Sequence, residues 1–336
     1  MAECGPRNPL VSVVVPTFNS ARYLPLTLQS ILAQESVSIE IIVVDDGSTD
    51  DTEDVVAALG CDNRLRYVKQ PASGGPSGPR NTGIRLALGE FVALCDSDDV
   101  MAAGKLREAI AFLEASPTLG LVFADMILFR DDGQDVPGTF LSKCAGFQLL
   151  PKKKIAEKWH LLDREATFEA LLSDNFVGIS GIVARRSALL SVGGFDETLS
   201  PAADWDLALR ITRAHQVGYL DMIGHRYRLR NSGLTGQGMA FMARDQLRVL
   251  GKQIQAGLTS RARTKAETRL ASTFFELGYD YQQRREFGLA QKHYWSSVRR
   301  GLSWRALRGL AICAFPLRLA WAFKAFRDRV IVQPGP

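Results

Sequence analysis

Two hydrophobic patterns alternate through the first part of this chain. Unbroken apolar runs closed by turn residues predict buried strands, and apolar positions three and four apart predict helices. Leu10 to Pro16 is the first strand and empties into Pro16-Thr17-Phe18-Asn19; Ala21 to Gln34 then carries Leu24, Leu28, Ile31 and Leu32 at helical spacing. Ile39 to Val44 predicts a second strand, Asp50 to Leu59 a helix that Asp50 or Thr52 can cap, and Leu65 to Val68 a third strand. Ala72-Ser73-Gly74-Gly75-Pro76-Ser77-Gly78-Pro79 must be loop. Asn81 to Leu88 resumes as helix, Glu90 to Cys95 as strand and Lys105 to Ala115 as helix. Such alternation predicts βαβ units with right-handed crossovers, hence an α/β fold on a mostly parallel sheet.

The later pattern is less regular. Leu121 to Arg130 and Ile179 to Ala184 predict further strands, and Ala203 to His215 a helix; Asp131 to Lys154 is expected to be irregular, with Lys152-Lys153-Lys154 a solvated loop. Beyond about Met239 everything reads as helix: Arg263 to Arg284, Phe287 to Arg300, and Trp304 onward. Leu277-Gly278 and Ala290 suit a hairpin of the tetratricopeptide kind, but one pair is too little for a repeat. The expected organisation is an α/β domain over residues 1–239 and a helical region over 240–336.

Charge reinforces that division. Residues 1–239 hold 23 basic and 30 acidic side chains, a net of −7, whereas 240–336 hold 18 and 6, a net of +12. The tail is therefore the candidate for an anionic partner. Its interleaved Trp304, Arg305, Arg308, Phe315, Leu317, Arg318, Trp321, Phe323, Lys324, Phe326, Arg327 and Arg329 suit an interfacial helix on anionic lipid, or equally an aromatic stripe packed on the hairpin. No recognition motif accompanies the charge, so nucleic acid is not expected. Cys4, Cys61, Cys95, Cys144 and Cys313 are dispersed, without metal-ligand spacing, which predicts reduced thiols, no zinc site and a cytosolic location. The amino terminus has no secretory pattern, and Arg308, Pro316 and Arg318 interrupt the apolar stretch from Leu307 to Phe323, so a spanning helix is not expected.

The candidate chemistry lies where strands end. Ile41-Ile42-Val43-Val44 runs into Asp45-Asp46, and Phe91-Val92-Ala93-Leu94-Cys95 into Asp96-Ser97-Asp98-Asp99. Open α/β sheets place ligands at the carboxyl ends of their strands. Two carboxylates 4 Å apart repel by about 4 kcal/mol at an effective dielectric of about 20. A hard divalent cation that also bridges phosphates would relieve that repulsion. Asp45 directly follows four buried apolar residues, and so needs a partner of its own. Two other ligand patterns fail. Gly74-Gly75-Pro76-Ser77-Gly78 lacks dinucleotide-binding spacing, and its prolines remove donors; the acidic run after Val44 has its glycine third, not sixth as in a calcium loop.

Four segments in order match something specific: V-S-V-V-V-P-T-F-N, I-I-V-V-D-D-G-S-T-D-D-T, G-P-R-N-T-G-I-R-L-A-L-G-E-F-V-A-L-C-D-S-D-D, and G-G-F-D-E followed by A-D-W-D-L. From about Leu10 to Arg230 the chain resembles the family 2 glycosyltransferases of the GT-A fold, specifically for family and fold and hardly at all for the sugar. The resemblance implies an inverting transfer from a UDP-sugar to a hydroxyl on a saccharide or lipid-linked saccharide, in cell-surface polysaccharide synthesis. By the same resemblance, Pro16, Thr17 and Asn19 border the uridine, Asp45 accepts from the uracil ring and Arg80 faces base or diphosphate. Asp96 would contact the ribose, Asp98 would hold Mn²⁺ or Mg²⁺, and Asp204 would be the general base. Direct displacement by a hydroxyl requires a carboxylate within hydrogen-bond reach of it. A helix cap or first-turn acid also explains Asp204, and Asp206 fits that role or a pair with Arg210.

Two positions depart from the family. Ala203 stands where a Glu usually precedes the base, and Arg228-Leu229-Arg230 stands for Arg-x-His. Arg230 can replace the missing His only as a fixed cation at the nucleotide-sugar. His225, on a strand edge, is expected to pack and not to ligate. The rival expectation is a non-catalytic nucleotide-sugar binder or scaffold, which Ala203 and the basic tail motivate.

Overall fold

The computed structural model describes residues 9–59, 62–230, 238–301 and 303–314. Cys4, Cys61 and the aromatic-basic stretch from Phe315 to Arg329 lie outside the described residues. The chain divides into two compact units, Met1–Gln237 and Gly238–Pro336.

In the first unit the elements are β1 (Val11–Thr17), α1 (Leu24–Leu32), β2 (Ile39–Asp45), α2 (Thr52–Ala58), β3 (Leu65–Lys69), α3 (Ser77–Leu86), β4 (Phe91–Leu94), β5 (Val100–Met101), α4 (Lys105–Ala115) and β6 (Leu119–Phe129). After them come β7 (Asp135–Thr139), α5 (Ala145–Gln148), β8 (Lys152–Lys154), β9 (Trp159–Leu162), α6 (Arg164–Ser173), β10 (Ile182–Arg185), α7 (Arg186–Ser191), α8 (Ala203–Ala214) and β11 (Gln216–Arg228). Among the described residues, one mixed sheet carries the eleven strands in the order β3-β2-β1-β4-β10-β6-β11-β9-β8, with β5 on β11 and β7 on β6. The β3-β2-β1-β4 block is parallel, as is the β6-β11 pair, and β10 joins the two blocks antiparallel to both neighbours.

Every residue of β1, β2 and β4 is buried, as unbroken apolar runs demand of strands covered on both faces. The chain winds outward from β1 to β3, then returns to place β4 on the other side of β1. That reversal opens a crevice at the carboxyl ends of β1 and β4. Helix α3 lies close against β1, and a Cβ at Gly83 would sit 2.3 Å from Val14 Cγ1.

Four expectations need correction. The stretch 72–79 is not all loop: Ser77, Gly78 and Pro79 form the first turn of α3, with Arg80 already inside the helix, because proline is tolerated in a first turn. The stretch 131–154 is not irregular: it holds β7, a short 3₁₀ turn, α5 and β8. Strand β7 is largely solvent-exposed and carries Pro137 and Gly138, so it shows no apolar alternation. The lysine run is strand β8, paired with β9, its charges blunting a sheet edge. Lys152 is not a solvated side chain, because its Nζ donates to the Phe147 carbonyl at 2.7 Å and stands 4.2 Å from the Phe147 ring centre. Nor does His225 occupy an edge: it is buried within β11, between Met126 of β6 and Met101 of β5.

The second unit comprises α9 (Met239–Gln255), α10 (Ser260–Gln283), α11 (Phe287–Val298) and α12 (Trp304–Ala314). Its small core gathers Ala290, Tyr294, Ala306 and Cys313. Gly278 and Gly309 make room for the Tyr294 ring, since a Cβ at either would come within 2.7 and 2.4 Å of it. Among the described residues no helix is long and apolar enough to cross a membrane.

Candidate active site

The loop after β1 is clasped to the loop after β2. Asn19, in the left-handed region at φ +48°, accepts from Thr49 N at 2.8 Å and donates its own N–H to Ser48 Oγ at 2.9 Å. Asp50 Oδ2 accepts from Ala21 N at 3.1 Å, while its Oδ1 takes the Thr52 N–H of the helix start. Asn19 is thus tied up in loop closure. Pro16 and Thr17 end β1 as buried residues, and the Thr17 hydroxyl is buried with no hydrogen-bond partner. Such an unsatisfied group is costly unless a ligand meets it.

Asp45 closes β2, fully buried. Its Oδ1 accepts from Ser48 N at 2.8 Å, and its Oδ2 from the Tyr67 hydroxyl on β3. Burial, together with that carboxylate, raises the phenol's pKa. The partner that Asp45 requires is therefore at least partly internal. Asp46 is held by Gln70 Nε2 at 2.8 Å and Ser73 N at 3.0 Å, which closes the glycine-rich loop over it.

On the other side of β1, the loop after β4 gathers Asp96, Asp98 and Asp99. Arg80, from α3, places Nη2 2.7 Å from Asp96 Oδ1; its side chain is buried, stacked 5.4 Å from the Phe195 ring centre, and its Nε has no partner. Arg230 Nε lies 2.6 Å from Asp98 Oδ2. Burial, reinforced by Asp96 and opposed by Arg230, pushes the Asp98 carboxyl up to about 6. Fully buried Asp99 accepts from Ser180 Oγ at 2.5 Å and from Arg228 N at 3.0 Å; burial and its two acidic neighbours hold it well above the usual carboxylate range. Two arginines thus supply part of the neutralisation expected of a metal.

Among the described residues no three acidic, His or Cys side chains are grouped to hold an ion alone. Asp96 and Asp98 still offer hard oxygen donors on one loop, and Asp98 is raised chiefly by burial. That set suits Mg²⁺ or Mn²⁺ when diphosphate oxygens complete the shell.

Asp204 stands in the first turn of α8. Its Oδ1 accepts from Trp205 N at 2.7 Å and from Asn175 Nδ2 at 3.2 Å, while among the described residues no donor reaches Oδ2. The first bond is the helix-start role open to any acid here, and it leaves the second oxygen available. Desolvation raises the carboxyl to about 6; Arg80 lowers it and Asp96 raises it, so all three share one electrostatic neighbourhood. Asp206 is turned the other way, fully buried, and paired with Arg210 at 2.7 Å. Ala203 is buried in the same turn.

Asn81 joins two motifs that lie more than a hundred residues apart. It accepts from Phe195 N at 2.7 Å and donates to the Phe195 carbonyl at 2.9 Å and to Glu197 at 2.8 Å. Gly194, at φ +68°, allows this approach, since a Cβ there would lie 2.5 Å from Asn81 Oδ1. Sequence reasoning missed Asn175, Tyr67 and Ser180 as site residues. Each is a common polar residue whose significance lies only in the acid the fold sets opposite it. Tyr23 is similar: Arg228 and Arg230 stand 4.9 and 5.1 Å from its ring centre.

Comparisons with known proteins bear on the fold and the family. Solved structures with a similar fold include S. aureus TarS 1-349 in complex with UDP-GlcNAc, at TM-score 0.65 and 21% identity over 90% of this chain and 88% of that one. Another is the mannosyltransferase PcManGT from Pyrobaculum calidifontis in complex with GDP-Man and Mn²⁺, at TM-score 0.60 and 20% identity over 97% and 82%. Both likenesses establish the GT-A fold. Among curated proteins, glycosyltransferase GlyG of Streptococcus pneumoniae is 44% identical over 93 residues, 27% of this chain and 31% of that protein. Succinoglycan biosynthesis protein ExoO of Rhizobium meliloti is 42% identical over 108 residues, 32% and 31%. The pre-mycofactocin glycosyltransferase of Mycobacterium tuberculosis is 32% identical over 211 residues, 62% and 40%. The matched segment spans about a third of the length of the first two relatives and two fifths of the third. The Glycosyl transferase family 2 pattern matches residues 12–188, more than half of the chain, from the first strand through the acidic loop to the strand that joins the two parallel blocks. The chain belongs to glycosyl transferase family 2.

Proposed function

We propose that this chain is an inverting glycosyltransferase moving a sugar from a UDP-sugar, with Mn²⁺ or Mg²⁺, to a hydroxyl of a saccharide or lipid-linked saccharide. The observation that carries this is Asp204: one carboxylate oxygen is anchored, the other is open, and Arg80 and Asp96 bear on it. The acid that would deprotonate an acceptor and the pair that would hold a donor thus share one neighbourhood.

In this proposal the unpartnered Thr17 hydroxyl and Asp45 border the uridine, Asn19 keeps their loops closed, and Asp96 meets the ribose. Asp98, with Asp96 beside it, would hold the metal, which supplies Lewis-acid neutralisation of the leaving diphosphate. Arg80 and Arg230 add fixed positive charge that water cannot screen in a desolvated crevice. Asp204 Oδ2 takes the proton from the acceptor hydroxyl as its oxygen attacks the anomeric carbon opposite the diphosphate. Attack from that face inverts the configuration.

The donor complex of TarS and the Mn²⁺ complex of PcManGT support a nucleotide-sugar and a divalent ion, and the name of ExoO supports a polysaccharide setting. For location, we read the basic second unit as a peripheral contact with an anionic membrane face. Trp295 and Trp304 are 54% and 79% exposed, among Lys292, Arg299 and Arg305. Screening UDP-sugars for manganese-dependent UDP release tests the activity. A protein that binds UDP yet neither transfers nor hydrolyses any donor in a broad panel would be the scaffold instead. Sedimentation with phosphatidylglycerol but not phosphatidylcholine vesicles tests the location.

A further inference from the structure

Beneath the acidic loop lies a polar network that the proposed chemistry does not use. Ser180 sits in the short 3₁₀ turn Ile179–Gly181 that leads into β10, on the antiparallel side of the crevice. Its Oγ donates to Asp99 Oδ2 at 2.5 Å and accepts the Asp96 N–H at 3.0 Å. A hydroxyl has one proton, so donation to Asp99 leaves Oγ as an acceptor toward Asp96 and fixes the direction of the chain Asp96 N–H to Oγ–H to carboxylate. Bonds in such a line polarise and strengthen one another.

The network is braced from below. Lys105, fully buried at the start of α4, donates through Nζ to the Ser180 carbonyl. A Cβ on Gly181 would lie 2.9 Å from the Ala124 carbonyl, so the turn rests directly on β6 backbone. From β11, Arg228 donates its N–H to Asp99 Oδ1 at 3.0 Å and its Nε to the Asp98 carbonyl at 3.0 Å. The segment that presents Asp96 and Asp98 is therefore held at the Asp96 amide, the Asp98 carbonyl and the Asp99 carboxylate, all by residues more than 80 positions away.

We infer that Ser180, its hydroxyl oriented by Asp99, is a positioning residue that fixes the Asp96 backbone so that the Asp96 and Asp98 carboxylates meet the diphosphate and its metal together. This rests on the donor assignment above. Losing Ser180 would free the Asp96 amide without touching any donor-binding side chain.

Hydrogen exchange and calorimetry on the full chain test it. In Ser180→Ala the Asp96 amide should exchange at least about tenfold faster than in the unaltered chain. Binding of UDP with Mn²⁺ should weaken about tenfold, with donor KM rising by a similar factor and kcat moving less than about threefold. Ser180→Thr, which keeps the hydroxyl, should recover most of the affinity. The double variant Ser180→Ala, Asp99→Asn should be little worse than the first alone, because both changes cut one line. If Ser180→Ala speeds exchange yet binds UDP and Mn²⁺ as tightly as the unaltered chain, the inference is overturned and Ser180 is merely structural. Unchanged exchange overturns it as well. An unaltered chain that binds no UDP overturns the donor assignment instead, and the exchange measurement still reports whether Ser180 holds Asp96.

Discussion

Arg230 Nε approaches Asp98 Oδ2 to 2.6 Å, yet its N–H is not aimed at any acceptor. The pair is an ion contact without the directionality of a hydrogen bond, as expected of a cation standing where another could stand. Arg has no lone pair to offer a metal, so at Asp98 it competes with an incoming ion and cannot ligate beside it. Arg230→Ala should therefore bind Mn²⁺ several-fold more tightly without nucleotide, as read by the loss of free-ion paramagnetic resonance signal. The same variant should bind UDP about tenfold more weakly. Tighter binding of both would show that Arg230 contributes no charge to the diphosphate.

Asp204 sets the pH dependence. A general base must be ionised, and burial holds this carboxyl near 6. The kcat should fall about tenfold per pH unit below that value and level off above it. Asp204→Asn should lower kcat by about a hundredfold or more, with UDP affinity changed less than about twofold. Because the folded pKa lies above its ordinary 3.8, the carboxyl penalises folding increasingly as pH rises from about 4 to about 6, and fully above that. The melting temperature of Asp204→Asn relative to the unaltered chain should thus climb across the same window, and a flat difference would contradict the assignment.

Arg80 is nearly enclosed, and Asp96 is its ion partner at 2.7 Å. Arg80→Ala leaves Asp96 without compensation and empties space against Phe195, so destabilisation of about 1–3 kcal/mol is expected in denaturant titrations. UDP binding should fall at least about tenfold. Arg80→Lys should restore charge without the planar fork or the stacking, and so recover only part of the affinity.

Gly83 tests packing apart from chemistry. A methyl there would overlap Val14 Cγ1, pushing α3 off β1. Gly83→Ala should cost about 1–3 kcal/mol. In this unit that is a fall of roughly 2–4 °C in melting temperature per kcal/mol. Activity per folded molecule should drop as well, because Arg80 rides on the same helix.

Local pattern was enough to place β1, β2, β4 and their helices, because buried parallel strands cannot avoid continuous apolar runs. It was also enough for the positions of Asp96, Asp98, Arg80 and Asp204, which sit in compact motifs at strand ends and a helix start. It failed between residues 131 and 154. There the strands are short, exposed or at an edge, so their stability comes from neighbours and leaves no periodic trace. His225 misled for a related reason: a Gly-His-Arg-Tyr run looks like a margin until β5 is seen to cover it.

Taken alone, the sequence determined the family, the alternation of strands and helices from β1 to β4, and the identities of the acids that border the crevice, since these follow from short-range pattern. Only tertiary structure decided what each acid faces. Tyr67 met Asp45 across β2 and β3, Arg230 met Asp98 from just past the end of β11, and Ser180 reached Asp96 from the turn before β10, 84 residues away. Partners of this kind are fixed by strand order and register, which arise from burying the whole sheet and not from any segment of it.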